Sequence, residues 1–89
     1  MSAAEQGWPE IIVFGTSWCG DCRRTLQLLD HHDVPYRYHD IDEEKLEELV
    51  ISLNEKSGHG ARRWVPTLKV GERILSVPSN AELSELLGL

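Results

Sequence analysis

Phe14-Gly15-Thr16-Ser17-Trp18-Cys19-Gly20-Asp21-Cys22 is the stretch whose reading decides the fold. It joins an apolar run, Glu10-Ile11-Ile12-Val13-Phe14, to a segment carrying Leu26, Leu28 and Leu29, and it holds both cysteines of the chain, three residues apart. The run before it reads as a buried parallel strand and the segment after it as a helix. The cysteines therefore fall at a strand-to-helix turn. The first turn of a helix has unpaired N–H groups and the positive end of the macrodipole, both of which stabilise an anion. A thiolate is such an anion, so Cys19, at or next to the N-cap, is expected to titrate below the free value of about 8.5 and to act as a nucleophile near neutral pH. Cys22 lies about one turn further along the same face, within reach of a disulfide and more buried. The pair reads as a dithiol redox centre in which Cys19 attacks and Cys22 resolves.

Working outward, a first helix is expected from about Gly20 to His31, with Cys22, Leu26 and Leu29 facing inward and His32-Asp33 ending it. Val34 to Asp40, around Pro35, Tyr36 and Tyr38, suits a second strand, and a strand-helix-strand unit of this length predicts a right-handed parallel crossover. Asp42 is the expected N-cap of a second helix, with Glu43 and Glu44 in its first turn, Leu46, Leu49, Val50 and Leu53 on its inner face, and Gly58 as its stop. Ser57 to Trp64 is a loop rich in Gly and Arg. Thr67-Leu68-Lys69-Val70 and Arg73-Ile74-Leu75-Ser76 flank Gly71-Glu72 and predict a hairpin that adds an antiparallel pair to the sheet. Ser79 and Glu82 form a capping box that opens a last helix bearing Leu83, Leu86 and Leu87. The expected order is βαβαββα, an α/β fold with a four-stranded mixed sheet and three helices.

The chain has 89 residues, enough for one domain with one modest core, so residues 1–89 are expected to form a single domain with residues 1–8 flexible. Its 40% hydrophobic and 27% charged content is that of an ordinary globular protein, and a net charge of -6 argues against tracking nucleic-acid phosphates. One C-x-x-C is not a secreted disulfide framework, which would spread more bridges along the chain. Met1 to Gly7 has neither a basic nor an apolar leader region, and no run approaches a membrane span, so a cytoplasmic protein is expected.

A C-x-x-C at a strand-to-helix turn, Val65-Pro66-Thr67 ahead of a hairpin and a Ser-capped final helix together resemble the glutaredoxin family of the thioredoxin superfamily. Gly15-Thr16-Ser17-Trp18-Cys19-Gly20 and Trp64-Val65-Pro66-Thr67 look most like the mycoredoxins and related small bacterial glutaredoxin-like proteins. The likeness runs from about Glu10 to Leu87. It implies a thioredoxin-like fold, with Cys19 as attacking thiolate, Cys22 as resolving thiol, and a cis peptide bond at Val65-Pro66 that brings the backbone of Val65 beside Cys19. It also implies that Ser79 and Asn80, at a helix N-terminus, lie where the carboxylate of a small thiol is received. Trp18 is read as both packing beside the turn and flanking the sulfur, and Arg63 as the loop arginine best placed to hold a carboxylate. Asp21 stands where a neutral residue is common and should raise the pKa of the neighbouring thiolate, with Arg23 and Arg24 near enough to offset it. Trp64 narrows the expected groove or tunes it to an apolar partner.

The resulting expectation is a cytoplasmic, monomeric thiol-disulfide oxidoreductase acting on disulfide-containing proteins or on mixed disulfides of proteins with small thiols. No bound cofactor or metal is expected. Its electrons would come from mycothiol, bacillithiol or glutathione, or from thioredoxin reductase. Two alternatives stand beside it: a donor to a dedicated partner such as ribonucleotide reductase, recycled by thioredoxin reductase, and a module whose cysteines hold a metal or an iron–sulfur cluster between two copies. Against metal, His31, His32, His39 and His59 lack a spacing that converges on the cysteines. The acidic run Asp40 to Glu48 reads as a helix start with a solvated face rather than a docking site.

Overall fold

Alternation in one strand explains how the layers assemble. In β1 (Ile11–Gly15), Ile11 and Val13 face one side of the sheet and Ile12 and Phe14 the other, so a strand apolar on both faces needs cover on both. The structure is a computed structural model that describes residues 7–89; the part of the expected flexible segment that comprises residues 1–6 lies outside the described residues. The elements that follow are α1 (Gly20–His31), β2 (Arg37–Asp40), α2 (Glu47–Lys56), β3 (Thr67–Val70), β4 (Arg73–Ser76) and α3 (Asn80–Leu87). The sheet order is β2-β1-β3-β4, with β1 parallel to β2, antiparallel to β3, and β3 antiparallel to β4. This is the thioredoxin-like arrangement of a four-stranded mixed sheet with three helices.

The side of β1 that carries Ile11 and Val13 packs with Leu29 of α1, Leu68 and Val70 of β3, Leu83 of α3, and Val34. Phe14 joins Val50 of α2 and Ile41, which precedes that helix, with Leu46, Leu53, Ile12 and Val65 packed around them. Each buried Leu, Ile or Val contributes about 1.5–3 kcal/mol. β1 thus sits between both clusters, and its C-terminal end, where Gly15 leads to the cysteines, is held from both faces.

Two expectations need correction. Val34 to Tyr36 is not strand. The Val34 N–H donates to the Leu29 carbonyl at 2.9 Å and closes the end of α1, with Asp33 at φ 54, while Pro35 has no N–H to give; the ladder with β1 starts at Arg37. Asp42 is not the N-cap of α2. The Asp40 carboxylate accepts from the N–H groups of Asp42 and Glu43 at 3.0 Å, winding residues 41–45 into a separate turn. Lys45 then adopts φ 55, and α2 starts only after Leu46, whose side chain offers no cap bond. On α2 Leu49, expected inside, is exposed, while Val50 is fully buried.

The hairpin and α3 form as their residues predict. Gly71 takes the turn at φ 60. Ser79 Oγ accepts from the Glu82 N–H at 3.0 Å while Glu82 accepts from the Ser79 N–H at 3.4 Å, completing the capping box.

Candidate active site

Cys19 is the N-cap of α1, with extended backbone (φ -88, ψ 116), and its Sγ accepts the Cys22 N–H at 3.2 Å. One of the unpaired donors of the helix start is thus aimed at sulfur, and a negative charge there would also meet the positive end of α1. The Cys19 thiol points to the Val65 carbonyl at 3.6 Å, a contact that fits the larger radius of sulfur and spans 46 residues of sequence. The Val65-Pro66 bond is cis. Both cysteines are free thiols; Cys19 retains 7% of its surface and Cys22 only 1%.

Burial has a chemical consequence at Cys22. Desolvation, reinforced by its hydrogen bond with Cys19, pushes its thiol up to about 12, against a lowering by a backbone hydrogen bond from Thr16. The close fit depends on Gly15. A Cβ at that position would stand 2.8 Å from Cys22 Sγ, 3.1 Å from Tyr38 Cε2 and 3.3 Å from Cys22 Cβ, so only glycine lets the end of β1 lie against the second cysteine. Tyr38 is in turn made harder to ionise, mainly by burial and then by Asp40 and the cysteines.

Around this dithiol the remaining residues singled out in the sequence gather in two sets. Trp18 is 64% exposed, and its indole N–H donates to Asp42 Oδ2 at 3.3 Å. Asp42 Oδ1 accepts from Arg63 at 2.9 Å, and Arg63 also reaches Glu47 at 3.6 Å. In the second set, Arg24 donates to Asn80 Oδ1 at 2.6 Å and to the Pro78 carbonyl at 3.3 Å, and pairs with Asp21 at 3.4 Å. Arg24 thereby ties the C-x-x-C helix to the start of α3, where Ser79 caps. The Val77 N–H donates to the Pro66 carbonyl at 2.9 Å, so the approach to α3 lies beside the cis proline.

Sequence reasoning missed several of these parts. Asp42 was assigned a helix cap and instead joins Trp18 to Arg63; nothing local in the sequence signals a contact across 24 and 21 residues. Arg24 pairs with Asp21 and also holds Asn80, while the charge of Asp21 still adds to the upward push on Cys22. Asn54, fully buried, donates to the Arg62 carbonyl and to Thr67 Oγ1, each at 3.0 Å, and so fastens the loop that presents Val65. Its only sequence signal is a polar residue on the apolar side of a helix. Asp21 lies 3.4 Å from a guanidinium rather than standing unopposed beside the thiols. Among the described residues no three His, Cys, Asp or Glu side chains are grouped to hold a metal ion, and no helix is long and apolar enough to cross a membrane.

Residues 11–75 match the family model described as Glutaredoxin. Among solved structures, the chain is similar to the glutaredoxin (grx-1) from Archaeoglobus fulgidus, with 26% identity and a TM-score of 0.70 over 97% of this chain and 94% of that one. It is also similar to the holo form of glutaredoxin C1 from Populus tremula × tremuloides, with 26% identity and a TM-score of 0.65 over 86% of this chain and 72% of that one. No curated protein matches it.

Proposed function

This chain belongs to the glutaredoxin family and is a thiol-disulfide oxidoreductase, and from that premise we propose that it reduces mixed or protein disulfides with Cys19 as nucleophile and Cys22 as resolving thiol. The observation that carries the reading is the placement of Cys19: an N-cap whose sulfur receives the Cys22 N–H and faces the Val65 carbonyl. The Cys19 thiolate attacks one sulfur of a substrate disulfide, forming a mixed disulfide and expelling the other sulfur as a thiolate that takes up a proton. Cys22, on losing its proton, attacks the Cys19 sulfur, releases the second substrate thiol and leaves a Cys19–Cys22 disulfide. Two electrons have then passed to substrate, and two equivalents of a small thiol, or thioredoxin reductase, restore the dithiol.

Burial raises the Cys22 thiol above its ordinary value, so its thiolate is scarce at neutral pH. This favours release of small-thiol adducts by a second small thiol attacking the mixed disulfide directly, with Cys22 serving for protein disulfides whose partner sulfur stays close. Trp18, Val65 and Pro66 line the approach to Cys19 in this reading, and Ser79 and Asn80 face the small thiol, with Arg63 at the rim. Within the family we place the chain with the small bacterial proteins of mycoredoxin type, acting as a monomer in the cytoplasm on one domain. The small thiol is of the glutathione, mycothiol or bacillithiol kind.

The test is thiol transfer by two variants. Cys19→Ser should lose activity toward a protein–small-thiol mixed disulfide, and Cys22→Ser, given the disulfide substrate with no small thiol present, should accumulate a covalent mixed disulfide visible by mass spectrometry. Full activity in Cys19→Ser would overturn the assignment. Retention of stoichiometric metal with a coloured preparation would favour the metal-binding module instead.

A further inference from the structure

Arg63 stands two residues before Val65, whose carbonyl is the backbone group facing the Cys19 thiol. A guanidinium so placed would be a natural partner for an anionic substrate group. It is already engaged. Asp42 Oδ1 takes it at 2.9 Å and Glu47 at 3.6 Å, so two carboxylates are set against one cation. The adjoining recess, about 330 Å³, is lined by Ile41, Asp42, Lys45, Glu47 and Glu48, and with Arg63 included the charges there are three carboxylates against two cations. Asp42 does a second thing: its other oxygen holds the Trp18 indole at 3.3 Å, fixing the exposed ring next to Cys19 in sequence. Of the other arginines near the dithiol, Arg24 is likewise matched, to Asp21, with its donors going to Asn80 and the Pro78 carbonyl, and Arg62 lies over the Trp64 ring at 5.7 Å.

We propose that Asp42 determines the specificity of the thiol site by withdrawing Arg63 from anion recognition, so that the site prefers a small thiol presenting no carboxylate at this rim. The inference rests on the proposed small-thiol chemistry at Cys19 and narrows its co-substrate class. Asp42 acts through Arg63 and Trp18 and is a positioning residue. A carboxylate-bearing thiol must displace the Asp42–Arg63 pair or sit against a net negative rim; an uncharged or polyhydroxylated thiol meets neither obstacle.

The probes are glutathione and glutathione diethyl ester, the same peptide with both carboxylates masked, each used by the full chain to reduce bis(2-hydroxyethyl) disulfide, with rates corrected for the uncatalysed reaction. Exposed ion pairs set the expected scale, so kcat/KM should favour the ester by about fivefold, chiefly through KM. About 1 M salt, where the Debye length is about 3 Å, should narrow the gap. Asp42→Asn, which keeps an acceptor for Trp18 while removing the charge, should cut the ester-to-glutathione ratio about threefold or more. Glu47→Gln, which leaves the Asp42 contacts in place, should lower the same ratio less, and it stands as the deciding variant should Asp42→Asn fold poorly. Equal use of both thiols by the native chain, or a ratio untouched by both substitutions, would overturn the inference while leaving the oxidoreductase reading in place. No turnover with either thiol would overturn small-thiol recycling at Cys19 and this inference with it, a result distinct from the Cys19-independent activity that would overturn the catalytic assignment.

Discussion

Replacing Gly15 by Ala tests how tightly the end of β1 is fitted to the second cysteine. The added methyl would lie 2.8 Å from Cys22 Sγ, a separation that real contacts do not sustain, with Tyr38 Cε2 at 3.1 Å and Cys22 Cβ at 3.3 Å. Cys22 cannot swing aside, because it is 1% exposed on the buried face of α1. Tyr38 is an edge-strand residue with some freedom, so the cysteine sets the cost. Overpacking of this kind costs about 1–3 kcal/mol. In a domain of this size each kcal/mol moves Tm by about 4–8 °C, so Gly15→Ala should melt on the order of 10 °C below the native chain. The assay is thermal unfolding by circular dichroism under reducing conditions. Gly20→Ala serves as the reference, since no atom lies within 4 Å of a Cβ there and the residue opens a helix. The decisive comparison is the same substitution in a Cys22→Ala background. Removing Sγ should shrink the penalty, leaving the part owed to Tyr38 and Cys22 Cβ, and the double-mutant cycle reads the difference. A Gly15→Ala protein as stable as the native chain, or a penalty undiminished without Sγ, would refute the argument.

Two further outcomes follow from the same geometry. Because burial holds the folded Cys22 thiol up at about 12 against an ordinary 9.0, the unfolded chain releases that proton first as pH rises, so the contribution to stability is complete below about 9 and is lost on the way to 12. Urea unfolding at a series of pH values should show this loss. Cys22→Ala should flatten it between 9 and 10, whereas above 10 Tyr36, raised to about 12 by burial and its bond to Asp30, still contributes; an unaltered profile between 9 and 10 would count against it. Ser79→Ala removes the acceptor for the Glu82 N–H and should cost about 1 kcal/mol, or about 4–8 °C in Tm, while Ser79→Asp should recover most of it. Equal melting of the two variants would mean that the cap is not what the hydroxyl supplies.

What the sequence made legible was carried by short-range signals. Gly20 to His31 shows helical spacing with a dithiol at its start, Gly71-Glu72 sits between two alternating runs, and Ser79 with Glu82 is a capping box; each is complete within a few residues, and each element appears with the bounds read for it. The segment from Val34 to Leu46 was misread because its outcome depends on competition. Val34 could extend a strand or close α1, and Asp42 could cap a helix only if Asp40 did not first gather the same N–H groups. A left-handed Lys45 has no sequence mark comparable to glycine. At the site, the cysteines, Val65 and Pro66 were found through pattern and family resemblance, and the structure brings them together. The long-range pairings of Asp42 with Trp18 and Arg63, and of Arg24 with Asn80, were invisible because charged side chains on loops declare no partner until the fold sets their distances.

Asn54 gives the molecule a property that concerns inheritance more than chemistry. One buried amide on α2 grips the Arg62 carbonyl and Thr67 Oγ1, on either side of the residue whose carbonyl faces Cys19. The height of that carbonyl over the sulfur is therefore governed from behind, by a helix that carries neither cysteine. Substitutions that shift α2 by a few tenths of an ångström would leave every residue lining the approach unchanged and yet retune which disulfides fit. An inherited change in substrate choice can thus be written in α2, a supporting helix, with the residues around the dithiol left as they are.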